Sequence, residues 1–182
     1  MLTIAVTGHR PNQMGPGYGY DDARPWRTLQ TRVADAFQAI AEERGESAVR
    51  VITGGAQGAD QVAFWAAEEL KTRGLQVTNT VFVPFDGQES RWRENGLFGQ
   101  ADWRAMLARA DESIVVTRPR PTDRGSVVRA LHARNDAMMA AADVVVAVTH
   151  LDPNAVANAS GGTAQAMRTC VTRGIPLRTV RP

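Results

Sequence analysis

The 182 residues, 43% hydrophobic and 22% charged, suffice for one domain with a full core and fall short of two ordinary α/β domains. No apolar run approaches the roughly 20 residues of a membrane span, and the opening MLTIAVTGHR lacks the features of a secretory leader, so a cytoplasmic protein without a membrane segment is expected. The net charge of +2 gives little support to strong nonspecific nucleic-acid binding, and the single Cys170 excludes an intramolecular disulfide and a multi-cysteine zinc site.

Along the chain, apolar runs rich in β-branched residues alternate with helical stripes. Leu2–Thr7 reads as the first strand. A long connection, Gly8–Pro25, follows, and its Gly15, Gly17 and Gly19 with Tyr18 and Tyr20 make either a lid or an irregular surface loop. Pro25 and Trp26 open a helix with Leu29, Val33, Phe37 and Ile40 on one face. Val49–Thr53 is the second strand, followed by a helix with Val62, Ala63, Ala66, Ala67 and Leu70 facing inward. Val77–Phe85 predicts the third strand, Gln100–Arg109 a shorter helix, and Glu112–Thr117 the fourth strand. After the charged connection Arg118–Gly125 comes a helix carrying Val127, Val128, Leu131, Met138 and Met139. Asp143–Thr149, a helix with Ala164, Met167 and Val171 beside Cys170, and Leu177–Val180 complete the pattern. Strands alternating with helices predict a single Rossmann-like domain over residues 1–182: a three-layer α/β/α sandwich with a mostly parallel sheet of about six strands.

In such a sheet ligands bind beyond the carboxyl ends of the strands. Thr7-Gly8-His9-Arg10-Pro11 follows the first strand, Thr53-Gly54-Gly55-Ala56-Gln57-Gly58-Ala59-Asp60 the second, and Ser160-Gly161-Gly162-Thr163 precedes the last helix. Any one of these glycine groups serves equally well as a tight turn. Three together, two of them opening helices whose free N–H groups favour an anion, point to a phosphate-bearing ligand. The G-x-G-x-x-G dinucleotide fingerprint and the G-x-x-x-x-G-K-[ST] loop are absent, which disfavours an ordinary NAD dehydrogenase or P-loop NTPase. Asp60 is either a helix cap or an acceptor for a ribose hydroxyl. Arg134 is either a phosphate fork or part of a solvated face. His9 is a candidate acid, base or ligand contact, while His132 and His150 stand alone, so no metal and no resident cofactor are expected. Pro84 begins a segment running to Trp92 that offers a surface for a base to stack on; Trp92 and Trp103 read equally as core.

The segments T-G-H-R-P, I-T-G-G-A-Q-G-A-D, V-P-F-D-G-Q-E-S-R-W, R-N-D-A-M-M-A-A-A-D and S-G-G-T-A-Q-A, in this order across nearly the whole chain, resemble the YpsA-type branch of the SLOG superfamily. The resemblance implies a Rossmann-like sheet whose glycine loops bind nucleotides or nucleotide-derived ligands. The same superfamily takes in the Lonely Guy cytokinin phosphoribohydrolases, which use a glutamate shortly after P-G-G-x-G-T together with an arginine. Here Ala164, Gln165 and Ala166 follow Thr163, and no neutral amide or methyl group stabilises an oxocarbenium ion. It also takes in the DNA-processing protein DprA, whose R-N-R and S-G-[ST] segments resemble Arg134-Asn135 and Ser160-Gly161-Gly162-Thr163.

The expected function is therefore binding or sensing of a mononucleotide, ADP-ribose or NAD-related molecule. Gly54, Gly55, Ala56, Gly58, Gly161, Gly162 and Thr163 are expected at the phosphate, Gly8, His9 and Arg10 along the pocket, and Arg134 and Asn135 at ribose or phosphate. Asp60, Pro84 and Ser160 complete the candidate set. One alternative is a hydrolase cleaving the N-glycosidic bond of a nucleoside monophosphate, with Asp60, Asp86 or Glu89 as its acid. Another is a single-stranded nucleic-acid-binding module. Homodimerisation is implied by the resemblance alone.

Overall fold

The structure is a computed structural model that describes residues 1–182. Six strands form one sheet: β1 (Leu2–Gly8), β2 (Ala48–Thr53), β3 (Gln76–Val83), β4 (Glu112–Val115), β5 (Val144–Val148) and β6 (Leu177–Val180). They lie in the order β4-β3-β2-β1-β5-β6, and every neighbouring pair is parallel. Helices α1 (Arg24–Arg44), α2 (Ala59–Thr72), α3 (Gln100–Arg109), α4 (Arg124–Ala141) and α5 (Gly162–Arg173) connect them. The predicted Rossmann-like sandwich is the observed fold, with no membrane-length apolar helix.

Pleat alternation divides the core into two layers. Ile4, Val6, Val49, Val51, Val146 and Val148 face α1 and α2, where Leu29, Val33 and Phe37 meet Ala63, Ala66 and Leu70 in the largest apolar cluster. Farther along the same face, Val81 and Val83 of β3 meet Trp103 and Met106 of α3. On the opposite face Ala5, Ile52, Phe82 and Val145 pack against Met138 and Met139 of α4 and Ala166 and Cys170 of α5. From β1 the chain steps outward to β4, then returns to place β5 on the other side of β1. Connections leaving β1 and β5 thus diverge to opposite faces, opening a crevice at the carboxyl ends of these two strands.

Some boundaries shift for stated reasons. β3 ends at Val83, short of the expected Phe85, because Pro84 has no N–H for the ladder; its carbonyl still accepts from Thr117 at 3.0 Å. α4 opens on a capping box, with Asp123 accepting from the Ser126 N–H and Ser126 Oγ accepting from the Asp123 N–H. The Gly8–Pro25 segment is the anchored irregular loop of the two alternatives, not a free lid. Its Tyr18 and Tyr20 pack on the main cluster, and Trp26 Nε1 donates to the Gly19 carbonyl at 2.8 Å. Trp26 also meets Tyr18 and Phe98 edge to face at 4.8 and 4.7 Å.

Candidate ligand-binding site

The first-strand and second-strand loops are fastened to each other by backbone. A Cβ on Gly8 would lie 2.4 Å from the Ala59 Cβ and 2.8 Å from the Val148 carbonyl oxygen, so only glycine lets the start of α2 close onto β1. His9 N–H donates to that same carbonyl and the His9 carbonyl accepts from the Ala59 N–H, both at 3.2 Å. Gly58, at φ 91°, presses against the His9 carbonyl from the other side. This fastening sets the mouth of α2 beside the switch between β1 and β5.

There a cavity of about 390 Å³ opens between α2, α4 and the start of α5. It brings together Gly8 and Arg10 of the first loop, Ala56 and Asp60 of the second, Arg134 and Asn135 of α4, and Gly161, Gly162 and Thr163 at the head of α5. Its floor is ionic. Asp60 and Arg134 side chains are each 8% exposed, with Arg134 Nη1 3.4 Å from Asp60 Oδ2, which also accepts from the Ala56 N–H at 3.2 Å. Burial pushes the Asp60 carboxyl above the usual carboxylate range, opposed chiefly by the Arg134 charge and the Ala56 N–H. Burial likewise pushes Arg134 down, opposed by Asp60, yet a guanidinium stays protonated at neutral pH, so its buried charge is costly to desolvate. Arg134 Nε is buried with no partner. Such an orphan is uncommon and calls for a physical reason.

The other end of the cavity is an uncapped helix start. Gly161 sits at φ 98°, ψ 167°, a region open essentially to glycine alone, and no side chain caps α5. The first helical bond is Gln165 N–H to the Gly161 carbonyl, leaving the amides of Gly162 and Thr163 without helical acceptors. Asn135 approaches the same place: a Cβ on Gly162 would sit 3.5 Å from its Nδ2. Amides, a carboxamide and a guanidinium thus share one concavity.

Other expected residues stand apart. Gly54 does not line the cavity; a Cβ there would lie 1.3 Å from Arg134 Nη1, so this glycine makes room for the guanidinium. Gly55 turns toward α3, where a Cβ would strike the Trp103 ring at 2.2 Å. The His9 ring leaves the cavity to pair with Thr149 Oγ1 at 2.8 Å, and burial, then the His150 charge, hold its pKa below the ordinary value. Pro84 is buried at the end of β3, and Ser160 is exposed just outside the lining. Of the three candidate acids only Asp60 reaches the cavity. Trp103 is core, and the half-buried Trp92 packs on it edge to face.

Sequence reading missed the outer wall. Asn12 and Gln13, in the short 3-10 turn after β1, and Val128, Leu131 and His132 of α4 also belong to the lining. The position of Asn12 and Gln13 directly after T-G-H-R-P was their one available signal. Val128 and Leu131 read as core, yet both line the cavity and Val128 is 44% exposed.

Fold and cavity together define a Rossmann-like domain with a switch-point pocket floored by an ion pair. The chain belongs to the YspA SLOG family, whose model matches residues 4–182. It is similar to the uncharacterized SPbeta prophage-derived protein YoqJ of Bacillus subtilis (strain 168), 36% identical over 88 residues covering 47% of this chain and 49% of that protein. It is also similar to a UPF0398 protein of Bacillus cereus (strain G9842), 30% identical over 127 residues, 65% of this chain and 60% of that protein. The matches therefore span less than two thirds of either relative.

Proposed function

We propose that the cavity binds a phosphate-bearing, nucleotide-derived small molecule, in a binding or sensing role. The carrying observation is that buried Arg134, with an unpartnered Nε, and the uncapped amides at Gly162 and Thr163 line the same 390 Å³ space. An anion there gains the helix dipole, the free N–H groups and a guanidinium in a poorly screened setting. Arg10 at the rim adds attraction for an approaching anion. The volume suits a mononucleotide-sized ligand, within the usual range for small-molecule pockets. Membership of the SLOG family supports the nucleotide class.

The hydrolytic alternative retains only Asp60 among its candidate acids, and that carboxylate already holds Arg134 and the Ala56 N–H. Mass spectrometry of small molecules released by denaturing the freshly purified protein tests the reading directly, and thermal shifts with a nucleotide panel test it again. A ligand at about 100 times its Kd adds roughly 2.7 kcal/mol of stability. No released nucleotide and no shift across the panel refutes the reading. Free base appearing from a nucleoside monophosphate moves it to hydrolysis, and oligonucleotide affinity falling steeply with salt moves it to nucleic acid.

A further inference from the structure

We infer that Asp60 and Arg134 form a sugar subsite that selects ligands carrying an intact ribose diol over their 2′-deoxy counterparts. The inference rests on the phosphate reading above and adds to it a specificity that reading does not require.

Asp60 puts a negative charge on the floor of a cavity whose other polar groups favour an anion. A phosphate next to that carboxylate meets repulsion in a setting that screens it poorly. The ligand's anion therefore belongs on the side of Arg134 away from Asp60, toward Gly162, Thr163 and Asn135, and whatever lies over Asp60 has to donate hydrogen bonds. The floor has capacity for such a group. A carboxylate offers about four acceptor positions. Within the protein, Asp60 uses Oδ2 for Arg134 Nη1 and the Ala56 N–H, with the Gly54 N–H adding to the field. Arg134 lines the same cavity, and its hydrogen bond to the protein is made through Nη1 alone, which leaves Nη2 as a donor for a ligand.

An acceptor oxygen and a donor nitrogen side by side, on charged groups of opposite sign, match a vicinal diol: one hydroxyl donates to Asp60 and its neighbour accepts from Arg134. Because each hydroxyl bond is made to a charged, buried partner, removing the 2′-hydroxyl is expected to weaken binding by about 10- to 100-fold.

The test is isothermal titration of the full chain with the four ribonucleoside 5′-monophosphates and their 2′-deoxy counterparts, repeated with Asp60→Asn. The expected result is that the best ribonucleotide binds at least tenfold more tightly than its deoxy partner. Asp60→Asn should bring the two affinities together, whereas loss of a merely structural role would lower both and preserve their ratio, an outcome that overturns the sugar subsite. The comparison of ligands on the unsubstituted chain needs no variant and stands even if Asp60→Asn does not fold. Equal affinities for the ribo and deoxy members overturn the sugar subsite and leave the phosphate reading intact. Binding by neither member of any pair overturns both.

Discussion

Replacing Gly54 with alanine puts a methyl group into space now held by a guanidinium. The new Cβ would lie 1.3 Å from Arg134 Nη1 and 2.2 Å from its Cζ, while the Gly54 backbone is free of the positive φ that strains a side chain. The backbone therefore tolerates Gly54→Ala and the Arg134 head group has to leave. Its departure strands the Asp60 carboxylate, and breaking a buried pair by removing one partner costs about 3–5 kcal/mol. For a domain of this size each kcal/mol is about 2–4 °C in Tm, so the melt should fall by about 6–20 °C. Calorimetry of Gly54→Ala, Arg134→Leu and the double variant separates the causes. With Arg134 already gone, the extra methyl should cost less than about 1 kcal/mol, since nothing remains for it to evict. An equal cost in both backgrounds, or a melt unchanged in the parent background, refutes the placement of the guanidinium.

Gly161→Ala forces a side chain into a glycine-only region with no neighbouring atom to blame, and should cost about 1–3 kcal/mol in urea titration and weaken nucleotide binding; unchanged stability would contradict the loop geometry. Neutral His9 resists protonation when folded, whereas the unfolded chain accepts a proton near 6.5. Its stabilising contribution is therefore complete above that pH and is lost as pH falls from there toward the lowered folded value. Urea midpoints compared between about pH 8 and pH 5 should drop more in the parent than in His9→Gln, and identical drops would count against the burial. Burial pushes the Cys170 thiol up to about 11, so Ellman's reagent should react with native protein only as fast as it opens, and immediate reaction would show the thiol exposed.

The fold was largely legible because alternation of apolar runs and helical stripes reports burial directly. Val144–Val148 is buried at every position and reads as an unbroken run, while the Leu29, Val33, Phe37 stripe marks the inner face of α1. Strand order is a different matter, since it depends on which connections cross over which strand, and no local pattern records that. The glycine loops illustrate the same limit. Gly54, Gly55, Gly58 and Gly161 look alike as residues, yet one clears space for an arginine, one for a tryptophan, one for a carbonyl, and one supplies a backbone shape. What each glycine is for depends on atoms distant in the chain: Arg134, Trp103 and His9 lie 80, 48 and 49 residues from the respective glycine, by subtraction of their numbers. His150, which stands alone in the sequence, acts on the His9 ring in space for the same reason. Arg134 gave a clearer signal, but its even balance between ligand fork and solvated face turned out to omit a third arrangement, a buried partner for Asp60.

The two margins of the sheet carry a consequence for self-assembly. β4 and β6 are only four residues each, and charged side chains stand on both, with Glu112 paired to Arg50 and Arg178 to Glu43. A second copy seeking to continue the ladder finds few open peptide groups, set among charged side chains. Lateral growth into fibres is thereby discouraged at both borders, and the hydrogen-bonded framework of the sheet stays closed within one chain.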